Sequence, residues 1–302
     1  MYDIPMAVHR VHSTVDGVSL YVEETGSGPS LLFIHEFAGD HRSWEPQLRH
    51  FGRRFRSVTY SARGYPPSEV PEDIGSYSQE QAIQDCIDVI TQLELAPVHL
   101  VGLSMGGFCA LHVARKRPEL VASAAIGGVG YGTADEVREA FRRECETIAR
   151  AFEEEGSAAV AERYARGPSR VQFQNKDPRG HLEFETMLAN HSSVGSALTM
   201  RGFQKERPSI FDFTDELAEL RVPLLIMVGD EDDGAIDASV AMKRLIPTAG
   251  LVMFASSGHT LNLEEPMHFN STLESFLLDV AVGAWRARDP RSKSNSTTGM
   301  DG

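Results

Sequence analysis

Short apolar runs alternate along this chain with stretches patterned for helix, and that alternation restricts the fold more than any other feature. Residues 18–23, 31–34, 56–60, 98–103, 122–126, 223–228 and 251–254 have the length and composition of strands. Several are apolar throughout, as strands covered on both faces are. Between the third and fourth, Ser78 and Gln81 form a capping box, and Ala82, Cys86, Val89, Ile90 and Leu93 then recur at helical spacing. The expected fold is α/β, a mostly parallel central sheet with helices on both faces.

The strand signal stops between 131 and 215. There Thr133 and Glu136 can cap a helix whose Val137, Phe141, Cys145, Ile148 and Phe152 share one face, with further helical pieces at 158–164 and 181–188. We expect a core made of 1–130 and 216–285, a helical insertion at 131–215, and a disordered tail over 286–302, which is rich in Ser, Thr, Gly and charge.

One turn in this pattern carries chemistry. Gly102-Leu-Ser-Met-Gly106 follows an apolar strand and precedes a helix, the setting in which G-x-S-x-G presents a nucleophilic serine. The glycines permit a turn tight enough to expose the Ser104 hydroxyl, and the amide of Met105 begins the helix where it can meet a developing oxyanion. A hydroxyl needs a base, and the base needs an orienting acid. Of the 11 histidines, His259 stands in Ser256-Ser-Gly-His-Thr, after the last strand and before a helix, and is the expected base. His35, His99 and His112 read as structural. His9, His12, His41, His50, His181, His191 and His268 read as solvated, with those in the insertion also placed to touch substrate. The acid is expected at the end of 223–228, where Asp230, Glu231, Asp232 and Asp233 follow Gly229. Spacing from the glycine favours Asp232, with Asp230 and Asp233 as alternatives.

Composition bounds the partners. The chain has 302 residues and a net charge of -14, so nucleic acid and anionic membranes are not expected as partners. No apolar run approaches the roughly 18 residues that cross a bilayer. The first 11 residues lack the basic-then-apolar order of a secretory leader, and three scattered cysteines make no disulfide framework, so a cytoplasmic setting is expected. No metal-ligand cluster or phosphate loop points to a cofactor. Between 216 and 285 there are 11 acidic and 3 basic residues, which leads us to expect a neutral rather than an anionic small-molecule substrate. The oligomeric state is not legible.

With its order Ser104, Asp232, His259, the chain resembles a lid-bearing, carboxylesterase-like serine hydrolase of the α/β-hydrolase-fold superfamily, over nearly everything but the tail. The resemblance implies that 131–215 is a lid and that the site lies between lid and sheet. It also implies a second oxyanion amide, that of Phe37, in the loop His35-Glu-Phe-Ala-Gly-Asp40. Relatives carry glycine where this chain has Glu36, so this side chain, with His35, becomes a candidate substrate-loop residue. Glu36 either points to water or lies near the nucleophile, as a Glu does in dienelactone-hydrolase-like proteins. Ser61-Ala-Arg-Gly-Tyr-Pro-Pro-Ser68 departs from the usual turn but keeps Arg63 and Gly64. The resemblance implies ester hydrolysis, with lactone, amide or carbon–carbon bond hydrolysis and cofactor-free perhydrolase or haloperoxidase chemistry as alternatives. A non-catalytic ligand-binding relative is the rival from another class. Phe141, Phe152, Tyr164, Phe184, Met187, Met200 and Phe203 are expected mainly as lid core.

Overall fold

The computed structural model describes residues 6–293. Its strands are β1 (Ala7–His12), β2 (Ser19–Thr25), β3 (Ser30–Ile34), β4 (Arg56–Tyr60), β5 (Val98–Leu103), β6 (Val121–Gly127), β7 (Leu224–Gly229) and β8 (Ala249–Phe254). They form one sheet in the order β1-β2-β4-β3-β5-β6-β7-β8. Every pairing from β4 to β8 is parallel, and the pairings of β2 with β1 and with β4 are antiparallel. This is the mostly parallel α/β sheet that the alternation led us to expect.

Side-chain parity explains why the central strands read as unbroken apolar runs. Leu32 and Ile34 of β3 face one layer while Leu31 and Phe33 face the other, and Leu224/Ile226 and Leu225/Met227 of β7 divide likewise. The first layer is closed by α2 (Gln79–Gln92) and α3 (Met105–Lys116), the second by α1 (Glu45–Phe51) and the late helix Pro266–Ala281. Helix α2 starts as read, with Ser78 accepting from the Gln81 amide at 3.0 Å. The edge strand β1 was not legible: in Ala-Val-His-Arg-Val-His only Val11 is buried, so no apolar run marks it. Arg63, in the departed turn, is buried and bridges Asp16 and Asp85.

Between β6 and β7 the chain forms α4 (Asp135–Glu155), α5 (Ser157–Tyr164), α6 (Val171–Lys176), α7 (Pro178–Ala189) and α8 (Ser193–Leu198), then a π-helical turn, Thr199–Gln204. Helix α4 starts without the expected cap: Ala134 is its N-cap residue, and the Thr133 hydroxyl is buried without a partner. Val137 is exposed, so the buried stripe of α4 begins about two turns later and runs through Cys145, Ala149 and Phe152. These residues pack with Phe37 and Tyr65 from the loops at the sheet's end and with Met105 at the start of α3. Ile210 already packs against the sheet layer, so the change of partner comes before residue 215.

The chain returns through α9 (Thr214–Ala218), α10 (Asp233–Leu245), α11 (Leu261–Glu264) and α12 (Pro266–Ala281). The expected disorder from 286 onward does not describe 286–293. The Arg288 amide donates to the Pro247 carbonyl at 2.8 Å, beside Trp285, whose indole donates to the Thr248 carbonyl at 2.9 Å. Residues 294–302 of that expected tail lie outside the described residues.

Candidate active site

Strand order reverses between β3 and β5, and in open α/β sheets the loops that diverge at such a point leave a crevice at the strands' carboxyl ends. Ile34 pairs with Gly102 there, so the turn holding Ser104 and the loop holding Phe37 are neighbours. Ser104 is the single residue between β5 and α3, at φ +50° and ψ -115°. That backbone costs a side-chain-bearing residue about 1–3 kcal/mol. Glycine on both sides makes it possible: a Cβ on Gly102 would stand 2.2 Å from the Gly106 carbonyl oxygen, and one on Gly106 would stand 2.1 Å from that of Ile34. Met105 opens α3, so its amide has no acceptor within the helix. Among the described residues no acceptor meets the Phe37 amide.

His259 lies between β8 and α11, and its Nδ1 is 2.8 Å from Asp232 Oδ2. Of the four acids after β7, Asp232 is the buried one. Asp230 accepts from the Ser257 amide at 3.0 Å, Glu231 is exposed and bonded to Gln172, and Asp233 opens α10. Burial pushes the Asp232 carboxyl up, but the charge and hydrogen bond of His259 and the phenol of Tyr131 outweigh it and hold it below the usual carboxylate range. The Tyr131 hydroxyl donates to Asp232 Oδ1 at 2.7 Å, and its ring meets the His259 ring edge-on, with centroids 5.2 Å apart. Burial first, then Asp232, raises the Tyr131 phenol, so it remains a donor. Tyr131 was missed in the sequence, where it is one tyrosine in a glycine-rich stretch.

Glu36 does not point to water. It is 2% exposed and gripped by Arg170 through Nη1 to Oε1 at 2.9 Å and Nη2 to Oε2 at 2.5 Å. Arg170 Nη1 also donates to the Thr260 hydroxyl, and the guanidinium lies 5.0 Å from the Phe184 ring centre. Burial opposes the charge on Arg170, but Glu36 prevails and keeps it firmly protonated. Glu36 Oε2 is also 3.8 Å from His259 Nε2, so the carboxylate stands beside the expected base. Next to it, His35 Nε2 accepts from the Ala62 amide at 2.9 Å, which places the proton on Nδ1 for donation to the Glu36 carbonyl at 2.7 Å. Burial lowers His35 to about 4, so the ring is a neutral brace for the loop.

Three histidines expected in solvent are buried. His41 contacts the Ser61 hydroxyl at 2.8 Å, His181 the Ala165 carbonyl at 2.6 Å, and His191 stands 3.6 Å from Asp40. None lines the cavity of about 370 Å³ that brings together Ser104, His259, Phe37 and Tyr131. Phe141, Tyr164 and Met200 line it as well, whereas Phe152, Phe184, Met187 and Phe203 pack within the inserted helices. The acidic excess of 216–285 does not describe this cavity: Asp230, Glu231 and Asp233 are exposed, and the buried charges on its wall are Arg170 and Arg207. The expectation of a neutral substrate, drawn from regional charge, therefore has no counterpart at the site. Cys86, Cys109 and Cys145 are unpaired and buried. Among the described residues no cluster of three metal-ligating side chains occurs, and no helix is long and apolar enough to cross a membrane.

Comparison with known proteins agrees with this geometry at the level of the fold and the hydrolase family. The chain is 25% identical over 279 residues to 3-oxoadipate enol-lactonase 1 of Acinetobacter baylyi, covering 90% of this chain and 99% of that one. It is 26% identical over 282 residues to the non-heme chloroperoxidase CPO-A1 of Kitasatospora aureofaciens, covering 88% and 98%. Among solved structures, a thermophilic esterase from Thermogutta terrifontis with malate bound superposes with a TM-score of 0.79 at 26% identity, covering 91% of this chain and 99% of that one. The alpha/beta hydrolase family is matched over residues 31–269, and with the serine turn and the helix-covered sheet this places the chain in that family.

Proposed function

We propose that the protein is a serine hydrolase that cleaves a carboxylic ester through an acyl-enzyme. The observation that carries this reading is the 2.8 Å contact of Asp232 with His259 Nδ1, in a cavity that His259 shares with Ser104. Asp232 fixes the proton on Nδ1, which leaves Nε2 as the base. The Ser104 oxygen attacks the carbonyl carbon while Nε2 takes its proton, and the Met105 and Phe37 amides hold the oxyanion. His259 then protonates the departing alcohol, and in the second half removes a proton from the water that cleaves the acyl-serine. The helices of 131–215 act as a lid that keeps other water out.

A second reading, lactone hydrolysis, needs the same steps with the alcohol tethered to the acyl group, and it is favoured by the enol-lactonase relative. Labelling by a fluorophosphonate probe, together with turnover of p-nitrophenyl esters, lactones and an aryl amide, tests both. We expect Ser104→Ala to abolish labelling and Ser104→Ala or His259→Ala to lower kcat by about a thousandfold or more. Labelling that is absent from the wild type, or equal in the alanine variant, rules out the serine mechanism and favours a ligand-binding protein.

A further inference from the structure

Arg207 follows the π-helical turn, where the chain leaves the inserted helices for the sheet. It is 6% exposed, yet it lines the same cavity as Ser104 and His259. Its Nη2 donates to the Tyr131 carbonyl at 2.6 Å, and its guanidinium carbon lies 3.9 Å from the centre of the Phe108 ring and 5.0 Å from that of Phe141. Among the described residues no carboxylate contacts it, and its Nε and Nη1 have no protein acceptor. The other two arginines buried among the described residues both have an acid: Arg63 has Asp16 and Asp85, and Arg170 has Glu36.

A buried cation without a counterion is costly, and in a chain with net charge -14 an acid to neutralise it would be easy to supply. Burial pulls Arg207 down only to about 9, so the guanidinium is charged at neutral pH. The aromatic faces and one carbonyl stabilise it in part, and two donor nitrogens of this cavity-lining residue keep their capacity to donate.

We propose that Arg207 pairs with a carboxylate on the substrate, so that the site selects monoanionic esters, such as half-esters of dicarboxylic acids, over neutral esters of equal length. This deepens the serine-hydrolase reading and rests on it for the identity of the ester, while the carboxylate subsite itself is a claim about binding. Planar guanidinium donors match a carboxylate in a way an ammonium does not.

The test has a kinetic arm and a binding arm. In the first, kcat/KM is measured for mono-p-nitrophenyl glutarate and adipate against p-nitrophenyl pentanoate, and for the butyrate ester of 4-hydroxybenzoate against that of 4-hydroxybenzamide. The two pairs distinguish a carboxylate on the acyl side from one on the leaving side. We expect one pair to favour the anion, Arg207→Met to reduce that ratio by about ten- to a hundredfold, and Arg207→Lys to restore part of it. A ratio that Arg207→Met leaves unchanged, because both esters fall together, overturns the proposal and makes Arg207 a packing residue. In the second arm, glutarate, adipate and 4-hydroxybenzoate are titrated into Ser104→Ala while its Tm is followed. At least one should raise Tm, and the rise should disappear when Arg207→Met is added. No rise with any of the three overturns the subsite. Failure of fluorophosphonate labelling beside a rise in Tm that depends on Arg207 removes the hydrolase reading and leaves the carboxylate site standing.

Discussion

Arg170 and Arg207 reach the cavity that holds Ser104 and His259 from different parts of the inserted segment, both nearly free of solvent, and they differ in their company. Arg170 meets Glu36 with two hydrogen bonds and the Thr260 hydroxyl with another, whereas Arg207 has a carbonyl and two aromatic rings. A paired buried charge holds loops in place and is spent on the fold. An unpaired one on a cavity wall keeps its field for whatever enters.

The comparison is sharpest where one partner is removed. Arg170→Met would leave Glu36 buried without a counterion next to His259, and we expect a loss of about 3–5 kcal/mol in denaturant unfolding. Adding Glu36→Leu should recover most of it, and no recovery would mean that the pair matters for more than its own charge balance. An intermediate effect is expected at Tyr131, the residue whose carbonyl holds Arg207 and whose phenol holds Asp232. Tyr131→Phe should cost about 1.5–3 kcal/mol, the range for a hydrogen bond to a charged group. The same change has a definite pH signature. The Asp232 carboxyl is depressed in the folded protein, so its stabilisation is present above the unfolded carboxylate value and is lost as pH falls through the folded one. Losing the phenol raises the folded value, so the acid-unfolding midpoint should move to higher pH, and a midpoint that stays put would contradict the sign.

Arg207→Met should go the other way from Arg170→Met. Removing an uncompensated charge is expected to raise Tm by about 2–4 °C, the shift that corresponds to roughly 1 kcal/mol in a domain of this order of size. A fall as large as that of Arg170→Met would break the contrast between the two arginines. The smallest effect is expected at Phe141, whose ring lies 5.0 Å from the Arg207 guanidinium. A double-mutant cycle of Phe141→Leu with Arg207→Met should give a coupling of about 0.5–1 kcal/mol.

The sequence made the sheet and the serine turn legible and left the contacts made through the inserted helices out of reach. The sheet could be read because each buried strand carries its signal in a handful of adjacent residues, and the Ser104 turn because its glycines lie within two positions of the serine. The short distance from Gly229 was enough to favour Asp232 over its acidic neighbours. Glu36 and Arg170 are separated by 134 residues, and Tyr131 and Arg207 by 76, so only the packing of the inserted helices brings them together. Even a separation of 16 residues hides such a contact, which is why His181 looked solvated: its acceptor, the Ala165 carbonyl, belongs to another part of that segment. Regional charge does not describe the cavity wall, because exposed acids and buried wall residues are different populations.

The His259 amide donates to the Ser169 carbonyl at 2.9 Å, and the neighbouring Arg170 reaches both Glu36 and Thr260. The insert is therefore not an interchangeable module. A designer who grafts another cover onto this sheet to change specificity must supply a carbonyl for the His259 amide and a guanidinium for Glu36. A cover that lacks them would leave His259 and the Glu36 loop without the contacts that hold them.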